Sequence, residues 1–218
     1  KEVFDEIIPE TEKKRAYLEK TGIVTIWPDY DHSVPVWERV FGLGFAGLLE
    51  ESEKMRVAKT LTEEENAFFE SIKITYSAII NFIGRLYDLA SKTKGSEKMA
   101  EALKNIKNNP PATFYEALLV DYIYFMLSEH IEGLQVRSLC NFDRIFYNFY
   151  ISDINNGIPE EQIRTDLAYF FLQFTAIGNY WNQPVFLGGC KEDESTEINE
   201  LSYLFLDVYD KMRIYNPK

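Results

Sequence analysis

The apolar residues of this chain recur mostly at steps of three and four, which is the spacing of helices with one buried face. The longest such stretch follows Thr62 and Glu65, whose Thr-x-x-Glu pattern is the capping box of a helix start. A helix is therefore predicted from there to about Ala90. Its predicted buried stripe consists of Phe69, Ile72, Tyr76, Ile79, Ile80, Ile83, Leu86 and Tyr87.

A second capping-box pattern, Thr113 with Glu116, follows the two prolines at 110–111. The helix that it opens, Phe114 to about Glu129, is apolar nearly all round, and this profile predicts a helix enclosed by protein.

Three more helices are predicted. Pro159 suits the start of a helix whose apolar residues include Leu167, Phe170 and Phe174. The last helix is predicted from about Thr196 to Arg213, with a buried stripe made of Ile198, Leu201, Leu204, Phe205, Val208 and Met212. Near the N-terminus, an amphipathic helix is predicted around Val36, Val40, Leu43 and Leu48.

Short runs at 22–27, 134–140 and 184–189 have the branched and aromatic composition of strands, and Gly, Pro or Asn bounds each of them. The predicted fold is mostly α with a minor β-sheet. Because no linker or repeat interrupts the pattern, residues 1–218 are expected to form a single unit.

Composition narrows the function. The 218 residues are 46% apolar and 15% aromatic, as in a packed globular protein. A net charge of −12 repels nucleic acid and anionic lipid surfaces, and we expect neither as a partner. No apolar run is long enough for a membrane span. The charged first residues lack a secretory signal and the chain has two cysteines, so a cytoplasmic location is expected.

Three segments carry a family resemblance: PPATFYEA at 110–117, SLCNFDRIFYNFYISD at 138–153 and GGCKEDESTEINELSYL at 188–204. In this order and spacing they resemble the N-terminal portion of the glycyl radical enzymes, the group of pyruvate formate-lyase and the radical diol dehydratases. The segment at 31–51 resembles the stretch of that family in which a His precedes a proline and a glycine-bearing helix. The resemblance implies a partial pyruvate formate-lyase-like domain, the first half of a ten-stranded barrel with its surrounding helices.

The same resemblance implies the chemistry. A glycyl radical, installed by an activating enzyme that uses S-adenosylmethionine and an iron–sulfur cluster, oxidises a cysteine whose thiyl attacks a small substrate. A C–C, C–O or C–N bond is then cleaved. Both the radical glycine and the catalytic cysteine are expected beyond these residues, so we expect the chain alone to be inactive and to bind no cofactor directly. The complete enzyme is expected to be a homodimer.

The chain departs from the family pattern around one motif. Cys140 and Asn141 replace a Gly-Arg pair, Arg144 replaces a frequent Gln, and Asn148 replaces a Pro. The substrate therefore cannot be carried over from a named relative. These departures leave a second hypothesis open, in which the chain is a non-catalytic, degenerate relative that acts as a helical interaction or regulatory protein.

The resemblance implies three substrate-binding residues, His32, Ser138 and Asp143. An imidazole can exchange a proton with a substrate hydroxyl, but His32 can equally bond to a neighbouring Asp of its own loop. Ser138 and Asp143 match the strand that lines the pocket in relatives. Alternatively, Asp143 begins a helix or pairs with Arg144 or Arg137. Gln135 and Arg137 are weaker candidates on the same strand.

Other chemistries have less support. Cys140 with His130 would make a thiolate and base, but a buried cysteine usually packs as a small apolar residue. The histidines and cysteines at 32, 130, 140 and 190 lack the paired spacing of a zinc site. The letters RVFG at 39–42 match a radical-glycine motif, yet they fall in the amphipathic helix near the N-terminus. The glycines of that helix are expected to allow close helix packing instead.

Overall fold

The computed structural model describes residues 9–22, 34–132, 138, 139, 141–177 and 183–217. Residues 1–32 and 33–218 separate by their contacts, and each stretch is described by itself. The prediction of a single unit over 1–218 stays a prediction. In the first stretch, helix α1 spans Pro9–Thr21, and Arg15 pairs with Glu19 one turn later at 2.6 Å.

In the second stretch, the described residues form a succession of helices joined by short connections. Their bounds are α2 Trp37–Val57, α3 Glu63–Ala90, α4 Glu97–Ile106, α5 Phe114–Glu132, α6 Phe142–Ile145, α7 Tyr147–Asn155, α8 Glu160–Ile177 and α9 Glu200–Met212. The prediction of a mostly helical chain is confirmed. Within the described ranges, no helix is long and apolar enough to cross a membrane.

Helix α3 begins with the predicted capping box. The Glu65 N–H donates to Thr62 Oγ1 at 3.2 Å, and the Thr62 N–H donates back to Glu65 Oε2 at 2.8 Å. The helix ends at Ala90, as predicted. Its apolar stripe is less enclosed than predicted, because Ile83 is fully buried whereas Tyr76 and Ile79 are half-buried. The first half of α3 therefore carries a partly uncovered apolar face.

Helix α2 is interrupted at Gly44, which has φ 64° and ψ 177° inside the helix. A Cβ at this position would lie 2.8 Å from the carbonyl oxygen of Asn109. At Gly42 an added Cβ would meet nothing within 4 Å. The predicted role of glycine in close packing therefore applies to Gly44 and not to Gly42. The predicted stripe is wrong at Val36, which precedes the helix and is exposed.

Helix α5 lies at the centre of this stretch and packs against α2, α4, α7 and α8. Phe114, Ala117, Val120 and Asp121 are fully buried, so the prediction of an enclosed helix is confirmed. Aromatic rings from the neighbouring helices continue the core around it. Phe142 and Phe146 stack with centroids 4.1 Å apart, and the core also contains Phe125, Phe170, Phe171, Phe174 and Phe205.

Helix α8 begins directly after Pro159, as predicted. Helix α9 begins at Glu200, four residues after the predicted start at Thr196, because Thr196 forms a bridge with Cys190 in the preceding turn. Ile198 is exposed before the helix, whereas Leu201, Leu204, Phe205 and Val208 are buried as predicted.

The predicted strands are covered only in part by the structure. Residues 23–27, 134–137 and 140 lie outside the described residues. In residues 184–189, Phe186 forms an isolated parallel bridge with Asn141, whereas Gly188 and Gly189 have positive φ values. Among the described residues no longer strand is assigned, so the minor sheet and the half-barrel stay predictions.

Candidate functional site

Two segments that are distant in sequence lie side by side at the candidate site. The Leu139 N–H donates to the carbonyl of Pro184 at 2.9 Å, and the Phe142 N–H donates to the carbonyl of Phe186 at 3.0 Å. The bridge between Asn141 and Phe186 is parallel. The described parts of two segments that were predicted as strands therefore lie side by side here, with a parallel bridge between them.

Ser138 is the first described residue of the first of these segments and is buried. Its carbonyl oxygen accepts a hydrogen bond from the indole Nε1 of Trp37 at 3.3 Å. Trp37 belongs to the first turn of α2 and stacks on Phe41, with ring centroids 5.4 Å apart. The backbone at Ser138 is thus held from one side by α2, while its neighbour Leu139 is held by Pro184 on the other.

Asp143 is fully buried in the first turn of α6. Its Oδ2 accepts the backbone N–H of Gly188 at 2.6 Å and the hydroxyl of Ser202. Within the described residues its Oδ1 has no hydrogen-bond partner. The open alternative of a helix start is confirmed. The alternative of a pair with Arg144 is wrong, because Arg144 forms an ion pair with Glu197 instead.

The start of α9 is joined to Asp143. Asn199 Oδ1 accepts the N–H groups of Leu201 at 3.0 Å and Ser202 at 3.2 Å, and Ser202 Oγ accepts the Asn199 N–H at 2.9 Å. The remaining amide nitrogen of Asn199 donates to the backbone carbonyl of Asp143 at 2.9 Å. A helix cap and the candidate site therefore share their polar groups.

Three of the four positions that depart from the family pattern gather around one cleft. Asn141, Arg144 and Asn148 line a space of about 430 Å³, opposite Glu38 and Phe41 of α2. Side-chain amides and a guanidinium can bond to polar groups of a ligand, and the ring of Phe41 gives an apolar wall. The three departures from the family pattern therefore change the polarity of the wall of this one cleft.

A larger cleft of about 630 Å³ lies between α5 and α8. Its wall is mostly apolar and includes Tyr122 and Phe170, and its polar end carries Lys98, whose Nζ lies 2.6 Å from both carboxylate oxygens of Asp166. The described residues that line it include none from 138–143 or 184–202. It is therefore a separate feature from the paired segments.

Two further buried acids were not predicted as site residues. Burial alone raises the pKa of Asp121 well above its ordinary value, and among the described residues both of its carboxylate oxygens lack a hydrogen-bond partner. Burial also raises the pKa of Asp153, although the Phe114 N–H donates to its Oδ2 at 2.9 Å and opposes the shift. A single acid within the apolar run of α5 was the one sequence signal for Asp121.

Of the predicted substrate-binding residues, the structure describes Ser138 and Asp143 and buries both, Ser138 in the first of the two paired segments and Asp143 directly after it in α6. His32 lies outside the described residues, as do Gln135, Arg137, Cys140 and the side chain of His130. Cys190 is exposed in the turn before α9.

Comparison with known proteins gives a consistent result. A family model described as PFL-like, pyruvate formate lyase-like, matches residues 1–218. The 4-hydroxyphenylacetate decarboxylase glycyl radical subunit of Clostridioides difficile is 31% identical over an alignment that covers 60% of this chain and 16% of that protein. The isethionate sulfite-lyase of Oleidesulfovibrio alaskensis is 29% identical over 83% of this chain and 26% of that protein.

Solved structures share the fold. A glycyl radical enzyme from Archaeoglobus fulgidus matches with a TM-score of 0.75 and 26% identity, over 86% of this chain and 28% of that one. The B12-independent glycerol dehydratase from Clostridium butyricum matches with a TM-score of 0.75 and 18% identity, over 86% and 27% of the two chains. The chain thus spans between 16% and 28% of the length of these relatives.

Proposed function

Because this chain belongs to the pyruvate formate lyase-like family, we propose that it supplies one wall of the reaction chamber of a glycyl radical lyase, together with helices around that wall. The parallel pairing of 138–142 with 184–186 is the observation that carries this proposal. A parallel pairing of this kind is what neighbouring strands of the proposed barrel would have, and Ser138 lies in the first segment with Asp143 directly after it.

In the complete enzyme, a glycyl radical and a cysteine would together remove a hydrogen atom from the substrate. We propose that both residues lie outside this chain. The residues of this chain bind and orient the substrate and keep water away from the reacting atoms. The fully buried rings of Phe142, Phe146 and Phe170 form a dry support behind the wall.

The proposed substrate is a small molecule that carries hydroxyl or other hydrogen-bonding groups, from which the enzyme cleaves a C–C, C–O or C–N bond. The hydroxyl of Ser138 is a proposed contact with this substrate. His32 is proposed as a second contact from the resemblance and lies outside the described residues. An imidazole there would exchange a proton with a substrate hydroxyl near neutral pH.

The proposed partners follow from the family. A radical-activating enzyme that uses S-adenosylmethionine and an iron–sulfur cluster would install the radical, and this chain itself would bind no cofactor. The complete protein is proposed to be a cytoplasmic homodimer.

The test uses the complete reading frame that encodes these residues. The protein is incubated anaerobically with its activating enzyme and S-adenosylmethionine, and the glycyl radical is measured by electron paramagnetic resonance. A radical signal, followed by turnover of a small hydroxylated substrate, supports the proposal. We expect Ser138→Ala to lower kcat/KM by roughly 10- to 100-fold, since one buried hydrogen bond contributes about 1–3 kcal/mol.

The alternative function, a non-catalytic relative that acts as a helical interaction or regulatory protein, draws its support from the departures at Asn141, Arg144 and Asn148. If the complete protein forms no radical under conditions in which a known glycyl radical enzyme does, the enzymatic proposal is wrong and this alternative stands.

A further inference from the structure

We propose that Asp143 is a positioning residue, which fixes the register of the segment 138–142 against 184–188 and thereby places Ser138 in the wall. This inference rests on the proposed function for the contact between Ser138 and substrate. The resemblance implies a different role for Asp143, direct contact with substrate. The hydrogen bonds of the described residues favour positioning.

The first observation is the number of elements that meet at one carboxylate oxygen. Asp143 Oδ2 accepts the Gly188 N–H at 2.6 Å and the Ser202 hydroxyl. It therefore joins α6 to the turn that follows the second segment and to the first turn of α9. Because a charged acceptor makes stronger hydrogen bonds than a neutral one, this contact is suited to hold three elements together.

The second observation is that the donors around Asp143 are already committed. The Ser202 hydroxyl accepts the Asn199 N–H at 2.9 Å, so its single proton is the one that Asp143 receives. Both polar atoms of the Asn199 side chain are used as well, within the cap of α9 and at the Asp143 carbonyl. Asp143 Oδ2 is thus saturated, and the whole side chain is 0% exposed.

The third observation concerns Gly188. It has φ +67°, and a Cβ there would lie 2.9 Å from Cγ1 of Ile198. The close approach of this turn to the residues before α9 therefore requires glycine. It is this approach that brings the Gly188 N–H to Asp143, so the backbone of the second segment is fixed just beyond its pairing with the first.

The consequence reaches Ser138 through the backbone. Two hydrogen bonds, Leu139 N–H to Pro184 and Phe142 N–H to Phe186, hold the segments in register. Asp143 follows the second of these bonds, and Ser138 precedes the first. A shift of the backbone at Asp143 would therefore displace both hydrogen bonds between the segments, and Ser138 would move with them.

The experiment compares Asp143→Asn with Asp143→Ala in the complete protein. Asparagine can keep an oxygen at the Oδ2 position with its amide nitrogen at the unpartnered Oδ1 position, whereas alanine removes the acceptor. Amide hydrogen exchange is measured by mass spectrometry at Leu139, Phe142 and Gly188. Positioning predicts exchange within about 3-fold of wild type for Asp143→Asn and at least 10-fold faster for Asp143→Ala, the factor given by a loss of about 1.4 kcal/mol.

Asp153→Ala is the matched control, because Asp153 is also a buried acid that accepts a backbone N–H, from Phe114 at a helix start. It should speed exchange at Phe114 and leave Leu139 and Phe142 unchanged. If Asp143→Ala does not fold, Ser202→Ala removes one of the two donors and carries the same test. Unchanged exchange at Leu139 and Phe142 in the folded variant would overturn the inference. So would equal acceleration at Phe114, which would indicate general destabilisation.

Turnover separates positioning from direct contact. With a substrate that the wild type converts, Asp143→Asn should keep kcat and KM within a few-fold if Asp143 acts through Ser138. A loss of 100-fold or more in Asp143→Asn with unchanged exchange would assign Asp143 to substrate contact and overturn the inference. Hydrogen exchange does not depend on the radical. If the complete protein forms no radical, the proposed function is wrong, but the exchange rates still test whether Asp143 fixes the register of the two segments.

Discussion

The indole N–H of Trp37 donates to the carbonyl oxygen of Ser138 at 3.3 Å and joins residues that lie 101 positions apart. Both residues are buried, so this hydrogen bond fixes the first turn of α2 against the paired segment. It connects a helix of the surrounding layer to the backbone of the proposed wall.

Trp37→Phe should therefore loosen the wall as well as the core. We expect the free energy of unfolding to fall by about 1–2 kcal/mol, from one lost buried hydrogen bond and a smaller ring. Chemical denaturation measures the loss, and hydrogen exchange at Leu139 should become faster. Phe41→Leu is the control, because Phe41 stacks in the same cluster without that hydrogen bond. Equal exchange at Leu139 in both variants would contradict a specific role for the indole.

Gly44→Ala and Gly42→Ala should act in opposite directions. At Gly44 the backbone is left-handed and a Cβ would lie 2.8 Å from the Asn109 carbonyl oxygen, so we expect a loss of at least about 2 kcal/mol in the free energy of unfolding. At Gly42 the added methyl group has open space within the helix, and we expect a gain of about 0.5–1 kcal/mol. Thermal or urea unfolding of the two variants tests this contrast. A Gly44→Ala protein as stable as wild type would refute it.

Asp121 should make stability depend on pH in an unusual direction. Because burial raises its pKa in the folded state, the unfolded chain releases this proton first as pH rises. The free energy of unfolding should therefore fall between about pH 4, the ordinary Asp value, and the raised folded pKa, and should level off above it. Asp121→Asn removes this slope. Asp121→Leu also removes the unpartnered oxygens and should add about 1–3 kcal/mol at neutral pH.

Asp207 provides a comparison of opposite sign. Hydrogen bonds from Lys211 and Arg164 lower the pKa of Asp207, so its contribution is present above the ordinary Asp value and is lost as pH falls through the lowered one. Asp207→Asn should therefore reduce stability at neutral pH. Urea unfolding across pH 3–8 measures both effects. A parallel pH dependence for the Asp121 and Asp207 variants would rule out the burial argument.

Glu116 should contribute more to stability than the similar acid Glu65. Its Oε2 accepts from the Ala112 N–H at 2.7 Å, the Thr113 N–H at 3.3 Å and Asn105 Nδ2 at 2.9 Å, in a buried site. Glu116→Ala leaves these donors without an acceptor and should lower the free energy of unfolding by about 2–3 kcal/mol. Glu65→Ala disrupts the exposed capping box of α3 and should have a smaller effect in the same denaturation experiment. Equal losses would show that burial does not set the difference.

Much of the helical architecture could be predicted from the residues. The capping boxes at Thr62 and Thr113 marked the starts of α3 and α5 correctly, because a cap joins residues only three positions apart. The burial of α5 followed from its apolar composition. The start of α9 was placed too early, because the bridge between Cys190 and Thr196 holds Thr196 outside the helix and Asn199 caps it instead.

The site was predicted in composition but not in arrangement. Ser138 and Asp143 were identified by resemblance. No local signal, however, showed that Asp143 would accept hydrogen bonds from Gly188 and Ser202 rather than pair with Arg144. These donors lie 45 and 59 positions away in sequence. The sequence also did not show which glycine permits close packing. Gly42 and Gly44 lie two positions apart in the same predicted helix, and only the tertiary structure places the Asn109 backbone against Gly44.

The sequence by itself determined where helices begin and which of their faces are apolar, because caps and periodicity depend on neighbours within one or two turns. It also carried the motifs by which the chain matches its family over residues 1–218. The tertiary structure alone decided which polar groups satisfy one another and which segments pair. A buried carboxylate takes whichever donors packing brings within reach, and that choice is made by distant parts of the chain.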